Sequence, residues 1–177
     1  MMGGSPEHAD TKAAILSDIK LLSLDVDGVL TDGGIYYADD GNSFRKFNSK
    51  DGMGIVHLQR TGFEIAVISA GAPGAIEHRA RWLNIAHVYT NVGDKLQTLQ
   101  ELAARLGLDM SEVAHMGDDI NDLPLMEAVG CPIAVADAMP EVIECARIVT
   151  EKEGGRGAVR EICDIIRSMR LASTPKG

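Results

Sequence analysis

A largely apolar run that ends in two aspartates is the feature that most constrains the fold of this chain. Residues 21–24 are typical of a buried strand, and Asp25 and Asp27 follow directly, just before Gly28. Open α/β sheets bind ligands at the carboxyl ends of their strands, so both carboxylates are expected at such an edge. Two carboxylates this close repel each other unless a cation or a proton lies between them. The pattern predicts metal-assisted chemistry on an anionic substrate.

The same Asp-x-Asp-Gly spacing has two other interpretations. A calcium loop needs oxygen ligands at alternate positions and a glutamate at the twelfth. Counted from Asp25, the fifth position is Val29 and the twelfth is Tyr36, so the calcium interpretation fails. A plain turn, in which both aspartates cap backbone N–H groups, stays open on this segment alone.

Composition and the order of segments favour one α/β domain. The 177 residues can bury a substantial core, and 45% hydrophobic with only 4% aromatic residues makes that core mainly aliphatic. Strand-like and helix-like segments alternate from residue 64 onward, which predicts a three-layer, doubly wound, mostly parallel sheet. We expect disorder over residues 1–10, a single domain over 11–171 and a flexible tail over 172–177.

A hairpin is predicted directly after the first strand. Residues 34–38 and 43–48 are strand-like, and the glycine, Asp and Asn residues between them indicate a tight turn. This hairpin flap would project beside the carboxylate pair. The linking segments are too short for a separate cap domain.

Charge and cysteine content exclude several classes of partner. The net charge of −9, without any Lys/Arg-rich run, argues against nucleic acid. Three scattered cysteines in apolar surroundings are typical of thiols in a reducing compartment. No apolar run approaches the length of a membrane span, and the first ten residues lack the features of a signal peptide. We expect a cytoplasmic protein that binds no membrane.

A second acidic cluster follows another short apolar strand. Asp118, Asp119 and Asp122 lie directly after the strand expected at residues 113–116. So many carboxylates at one strand end destabilise a fold unless cations neutralise them. One Mg²⁺ shared by the two acidic loops would do so, because Mg²⁺ prefers oxygen ligands and substrate phosphate. The alternative for Asp119 or Asp122 is a helix N-cap.

Two single residues between the acidic clusters suit a phosphorylated substrate. Ser69 ends the strand expected at residues 64–69, where its hydroxyl can hydrogen-bond a phosphate oxygen. Lys95 lies in the first turn of a predicted helix and offers a positive charge. A lysine in that position opposes the helix dipole, which slightly favours function over simple solvation.

The order of these motifs resembles the haloacid dehalogenase superfamily of phosphotransferases. The match covers residues 21–122 and implies the Rossmann-like fold of that superfamily, in its capless form. By this resemblance Asp25 would be the nucleophile that forms an aspartyl phosphate. Asp27 would protonate the leaving alcohol and later activate water, while its backbone carbonyl helps to bind Mg²⁺.

The resemblance also implies roles for the other motif residues. Ser69, Ala70 and Lys95 would bind the phosphoryl oxygens, with Lys95 offsetting the repulsion between carboxylate and phosphate. Asp118 would complete the metal site formed with the first acidic pair. The remaining carboxylates of the second cluster would support it, and they are Asp119 and Asp122.

Further strings resemble the phosphatases of 3-deoxy-D-manno-octulosonate 8-phosphate. They are DGVLTDG, the KFN and DGMGI strings after the hairpin, VADA and GGRGAVRE. The resemblance implies Mg²⁺-dependent hydrolysis of that sugar-acid phosphate in lipopolysaccharide synthesis, by a homotetramer whose hairpins meet at its centre. It makes Lys50, Asp51 and Arg156 candidates for substrate contact. The alternative for residues 154–157 is a flexible loop before a helix.

One departure from the family pattern affects the substrate. The family usually has Thr-Gly-Arg where this chain has Ser69-Ala70-Gly71, so a charged side chain that relatives use on the substrate is missing. Arg79 and Arg81 are candidates to replace it, although surface salt bridges explain them equally well.

Two alternative functions therefore stay open. One is a nonulosonate 9-phosphate phosphatase of the sialic-acid type, whose substrate also carries a carboxylate at one end and a phosphate at the other. The other is a non-catalytic tetramerisation module. Retention of the aspartate pair together with Lys95 and Asp118 argues against the second.

Overall fold

Strands and helices alternate along most of the chain in the computed structural model, which describes residues 6–173. The strands are β1 (Leu21–Leu24), β2 (Thr31–Tyr37), β3 (Ser43–Phe47), β4 (Glu64–Ile68), β5 (His87–Tyr89), β6 (Val113–Gly117), β7 (Cys131–Ala134) and β8 (Ile148–Val149). The helices are α1 (Pro6–Leu16), α2 (Ser49–Gln59), α3 (Pro73–Trp82), α4 (Lys95–Leu106), α5 (Leu123–Ala128), α6 (Pro140–Cys145) and α7 (Ala158–Ser173).

Six of these strands form one parallel sheet in the order β5-β4-β1-β6-β7-β8. From β1 the chain builds outward through β4 and β5, and then returns to the other side of β1 for β6, β7 and β8. The direction of winding therefore reverses beside β1. Doubly wound sheets bind ligands in the crevice at such a switch point, which here lies between the carboxyl ends of β1, β4 and β6.

Helices cover both faces of this sheet. Leu22 of β1 belongs to a core cluster with Ile55 of α2 and Ile162 of α7, whereas the adjacent Leu21 belongs to another cluster with Leu99 of α4. Successive residues of a strand point to opposite faces, so β1 is buried between two helical layers. The prediction of a three-layer, doubly wound parallel sheet is confirmed.

β2 and β3 form a separate antiparallel hairpin between β1 and α2. Within residues 6–173 the connection from β1 to α2 contains this hairpin and no cap domain, as expected. Several large apolar side chains on the hairpin are exposed, and they are Ile35, Tyr36, Tyr37 and Phe44.

Among residues 6–173, no helix is long and apolar enough to span a bilayer.

The ends of the chain differ from the expected boundaries. Residues 6–10, expected to be disordered, belong to α1, and the helix α7 extends into the expected tail as far as Ser173. The position of α1 depends on distant contacts, because Lys12 pairs with Glu161 of α7 at 2.7 Å and Leu16 is buried in the core. The parts of these predictions that concern residues 1–5 and 174–177 lie outside the described residues.

The glycine-rich segment before α7 packs against the turn after β1. The Gly155 N–H donates to the carbonyl of Val29 at 2.9 Å, and the Gly154 N–H donates to Asp137 Oδ1 at 2.8 Å. A Cβ atom on Gly154 would overlap the carbonyl oxygen of Gly28. These contacts argue against a flexible loop and make the segment a support for the first acidic turn.

Gly154→Ala should therefore destabilise the fold, because its methyl group has no space beside the turn after β1. We expect the free energy of unfolding to fall by about 2 kcal/mol or more in urea denaturation. Gly93→Ala is the matched control, since no heavy atom lies within 4 Å of its added Cβ. It should change stability by less than about 0.5 kcal/mol. Equal stability of the two variants would contradict the packing described.

Candidate active site

A buried ammonium group joins the two acidic loops. Asp25 follows β1 and Lys95 begins α4; the Lys95 Nζ lies 3.0 Å from Asp25 Oδ1 and 2.7 Å from Asp122 Oδ1. Burial lowers the pKa of Lys95, but the charges of the two aspartates outweigh burial and raise it above its ordinary value. Lys95 therefore carries a positive charge at neutral pH, and its charge holds the loops after β1 and β6 together.

Asp122 is fully engaged by its neighbours. Besides Lys95, its carboxylate accepts the Asp118 N–H at 3.2 Å and lies 3.4 Å from the Nε2 of the buried His115. Burial alone would raise the pKa of Asp122, but His115 and Lys95 together lower it to about 2. Asp122 is therefore ionised and organises the site from behind.

The charges of Asp25 and Asp118 are less fully compensated by cations and hydrogen bonds than the charge of Asp122. Burial, with the charge of Asp122 added, raises the pKa of Asp25 to about 6. Burial and the charges of Asp25 and Asp122 raise the pKa of Asp118 to about 7. Asp118 Oδ1 is buried and has no hydrogen-bond partner. Oxygens of all three carboxylates lie within 4.8 Å of one another, so this oxygen-rich set fits a divalent cation such as Mg²⁺.

Asp27 is held by the hairpin. Arg45 of β3 donates from Nε to Asp27 Oδ1 at 2.7 Å and from Nη2 to Asp27 Oδ2 at 3.0 Å. The sequence analysis did not identify Arg45. The available signal was the alternation in β3, where Arg45 and Phe47 are half-buried while Phe44 and Lys46 are exposed.

The loop after β4 forms another wall of the site. Ser69 is buried, and its Oγ accepts the Gly71 N–H at 3.0 Å, which leaves its hydroxyl hydrogen able to donate to a ligand. The resulting cleft has a volume of about 230 Å³. It brings together most of the expected site residues, namely Asp25, Asp27, Ser69, Ala70, Lys95 and Asp118. Asn121, which the sequence analysis did not consider, also lines it.

The last member of the acidic cluster, Asp119, lines the cleft at its exposed edge. Its side chain accepts the Ile120 N–H at 2.7 Å, so it caps the short 3₁₀ turn Ile120–Asp122. The N-cap alternative therefore describes Asp119, whereas the side chain of Asp122 makes no cap hydrogen bond to α5.

Three expected substrate contacts lie outside the cleft of this chain. Lys50 is exposed in the first turn of α2, and Arg156 is exposed beside Glu153. Asp51 is 1% exposed, and it accepts the N–H groups of Gly157 and Arg160 at 3.2 and 2.8 Å. The Asp51 carboxylate thus caps the start of α7, and it is not among the residues that line the cleft.

Arg79 does not replace the side chain missing at Gly71. Its guanidinium donates to the Asn48 carbonyl at 3.0 Å and lies over the rings of Phe47 and Trp82. The guanidinium that lies beside Gly71 belongs to Arg45.

A larger groove of about 600 Å³, at α1 and the end of α7, has no carboxylate among its lining residues and is unsuited to the same chemistry.

Comparisons with known proteins agree with this geometry. Residues 72–162 match the haloacid dehalogenase-like hydrolase family. The chain is 43% identical over 159 residues to the 3-deoxy-D-manno-octulosonate 8-phosphate phosphatase KdsC of Salmonella typhi, which covers 90% of this chain and 83% of the relative.

Solved structures of similarly named proteins also superpose closely. The phosphatase of that name from Yersinia pestis gives a TM-score of 0.88 at 41% identity, covering 92% of this chain and 88% of the other. The one from Moraxella catarrhalis, in complex with magnesium, phosphate and KDO, gives a TM-score of 0.86 at 34% identity, covering 89% and 91%.

The raised pKa values of Asp25 and Asp118 make the metal-free fold less stable as the pH rises. A carboxyl with a higher pKa in the folded state adds stability below its unfolded pKa of 3.8, and this stability is lost as pH rises through about 6 and 7. Asp118→Asn removes one of these charges. In chelator it should raise the Tm by several degrees at pH 8 and by less at pH 5, where Asp118 is still protonated in the folded state.

Calorimetry at both pH values with chelator, and again with excess Mg²⁺, checks this prediction. With excess Mg²⁺ at pH 8 the wild-type protein should have the higher Tm, because Mg²⁺ stabilises it by binding and Asp118→Asn lacks one of the metal ligands. A variant less stable than wild type at pH 8 in chelator would contradict the proposed repulsion.

Proposed function

The chain belongs to the haloacid dehalogenase-like hydrolases, and we propose that it is their Mg²⁺-dependent phosphatase of 3-deoxy-D-manno-octulosonate 8-phosphate. The observation that carries this proposal is the cluster of Asp25, Lys95 and Asp118 at the switch point of the sheet. It combines a carboxylate, a fixed cation and an unpartnered oxygen in one cleft. The identity to phosphatases of this name, over 90% of the chain, supports the substrate.

Asp25 is the nucleophile in this proposal. Its carboxylate attacks the phosphorus, the bond to the sugar oxygen breaks, and an aspartyl phosphate forms. The Lys95 ammonium, 3.0 Å from the attacking carboxylate, offsets its repulsion with the phosphate dianion. Ser69 donates its hydroxyl hydrogen to a phosphoryl oxygen. Asp25, the Asp27 carbonyl and Asp118 would hold Mg²⁺, which would supply positive charge that keeps the nucleophile ionised.

Asp27 is the general acid and base. It faces the same cleft but does not belong to the cluster of three close carboxylates. It gives a proton to the departing sugar oxygen and then takes one from the water that hydrolyses the aspartyl phosphate. The two aspartates thus act in opposite protonation states, which a nucleophile and a proton donor require.

Asp25→Asn should lower kcat by at least about a thousandfold, because the amide cannot form the acyl phosphate. Release of inorganic phosphate from the octulosonate ester in Mg²⁺ measures this loss. Asp32→Asn is the matched control, since Asp32 lies in the same sequence string but pairs with Lys46 on the hairpin. Its kcat should stay within about threefold of wild type. Activity that survives chelation of Mg²⁺ would contradict the metal assignment.

Substrate preference separates the proposal from its nearest alternative, a nonulosonate 9-phosphate phosphatase. We expect kcat/KM for the octulosonate ester to exceed that for the nonulosonate ester by at least about tenfold. The identity to phosphatases named for the eight-carbon substrate favours this order. Equal, slow turnover of both esters would contradict the substrate while leaving the reaction type intact.

We also propose a cytoplasmic homotetramer built on the hairpins. Tyr37, 75% exposed, and Phe44, 58% exposed, belong to an apolar hairpin surface that a neighbouring copy can bury. A cleft of about 230 Å³ is smaller than most ligand pockets, so the sugar must extend over its rim. At the hairpin base Asn48 donates to the Gly155 carbonyl at 3.0 Å.

The exposed Lys50 lies two residues after Asn48, and the exposed Arg156 directly follows Gly155. We propose that both contact substrate in a neighbouring subunit's cleft. Both are cations, which suits the anionic substrate. The cytoplasmic location is supported by three cysteines that form no disulfide, Cys131, Cys145 and Cys163.

Replacing Tyr37 and Phe44 with serine should reduce the tetramer to smaller species, because the contact would lose its apolar side chains. Light scattering coupled to size exclusion measures the mass. Leu171→Ser is the control, since Leu171 is 53% exposed on α7, away from the hairpin. It should stay tetrameric. An unchanged mass of the hairpin variant, or a monomeric wild type, would contradict the assembly.

A further inference from the structure

The ion pair between Arg45 and Asp27 is unlike the other ion pair of the hairpin. Both donors of the Arg45 fork engage both oxygens of the Asp27 carboxylate, at 2.7 and 3.0 Å. The Arg45 side chain is 7% exposed, whereas Lys46, the next residue, is 59% exposed and pairs with Asp32. A bidentate pair fixes the plane of a carboxylate, which a lysine cannot do. The Arg45 fork therefore sets the orientation of Asp27.

Gly71 provides the space for this ion pair. A Cβ atom at position 71 would lie 2.9 Å from Arg45 Nη2 and 3.2 Å from Asp27 Oδ2. It would also lie 3.0 Å from the Cδ1 of Ile76, so a side chain there is crowded from both sides. Gly71 does not have a positive φ, so glycine is needed here for space and not for backbone conformation.

We propose that Arg45 is a positioning residue for the proton transfers of Asp27, and that Gly71 admits its guanidinium to the cleft. This inference rests on the proposed function. Each oxygen of a carboxylate has two lone pairs, and the fork occupies one on each. One on each oxygen remains for the proton that passes to the sugar oxygen as the P–O bond breaks. The same carboxylate then takes a proton from the attacking water.

Leaving-group dependence tests this role, because proton donation matters for an alcohol and hardly for an acidic phenol. Arg45→Ala should lower the rate of sugar release from the octulosonate ester in the first turnover by about a hundredfold, the scale of general acid catalysis. The rate of p-nitrophenol release from p-nitrophenyl phosphate in the first turnover, before water attacks the aspartyl phosphate, should stay within about threefold of wild type. Lys46→Ala is the matched control, since it removes a hairpin cation outside the cleft, and it should leave the ratio of the two rates unchanged.

A reciprocal substitution tests the role of Gly71. Gly71→Arg alone should lower turnover of the sugar ester, because its side chain competes with Arg45 for one space. In the Arg45→Ala background the same substitution should raise kcat on the sugar ester at least about tenfold above that of Arg45→Ala alone. Arg45→Lys, which keeps the charge but loses the fork, should fall between wild type and Arg45→Ala. Circular dichroism of each variant verifies its fold.

The outcomes separate this inference from the proposed function. Equal losses of the first-turnover rate on both substrates in folded Arg45→Ala, or no recovery in the double variant, would overturn the role of Arg45 while wild-type turnover upheld the function. Wild-type protein that hydrolyses neither ester in Mg²⁺ would overturn both.

Discussion

The buried ammonium of Lys95 is the charge on which the rest of the site depends. Burying a charge is strongly unfavourable unless partners compensate it, and Asp25 and Asp122 do so at 3.0 and 2.7 Å. These aspartates come from different strands on the same edge of the sheet. Lys95 therefore holds together two loops that would otherwise repel each other. The parallel arrangement of β1, β5 and β6 makes this possible, because it places the strand ends that precede Asp25, Lys95 and Asp122 on one side of the sheet.

Positive charge and hydrogen bonds compensate the three carboxylates to different extents. This difference separates the structural carboxylate from the reactive ones. Asp122 has enough partners to be ionised at any physiological pH, with its pKa lowered to about 2. Asp25 and Asp118 have raised pKa values because they are buried and lie beside other ionised aspartates, and the charge of Lys95 only partly offsets both effects. The remaining deficit of positive charge is what a divalent cation would fill. Without a bound cation the folded protein therefore keeps Asp25 and Asp118 close together with too little positive charge, and binding a cation would relieve their repulsion.

The sequence predicts those parts of the molecule whose signals are local. An apolar strand followed by aspartates recurs near residues 25 and 118, and the alternation of elements brings both to one edge of the sheet. The contacts of Asp51 are not visible in the sequence, because the N–H groups it caps belong to residues more than a hundred positions away, including Arg160. Arg45 was missed for a similar reason. Its partner lies 18 residues earlier, and only the hairpin register brings the two together.

Where a charged side chain approaches the backbone of this site, a glycine provides the space. A Cβ on Gly28 would overlap the Asp118 carboxylate, just as one on Gly71 would crowd the Arg45 guanidinium. Both contacts join segments that are far apart in sequence, the turn after β1 with the loop after β6, and the loop after β4 with the hairpin. Gly71 is needed for space alone, whereas Gly28, with a φ of +87°, also provides a backbone conformation that other residues rarely adopt. A missing side chain in a motif is thus informative, because Gly71 marks the place that Arg45 occupies beside Asp27.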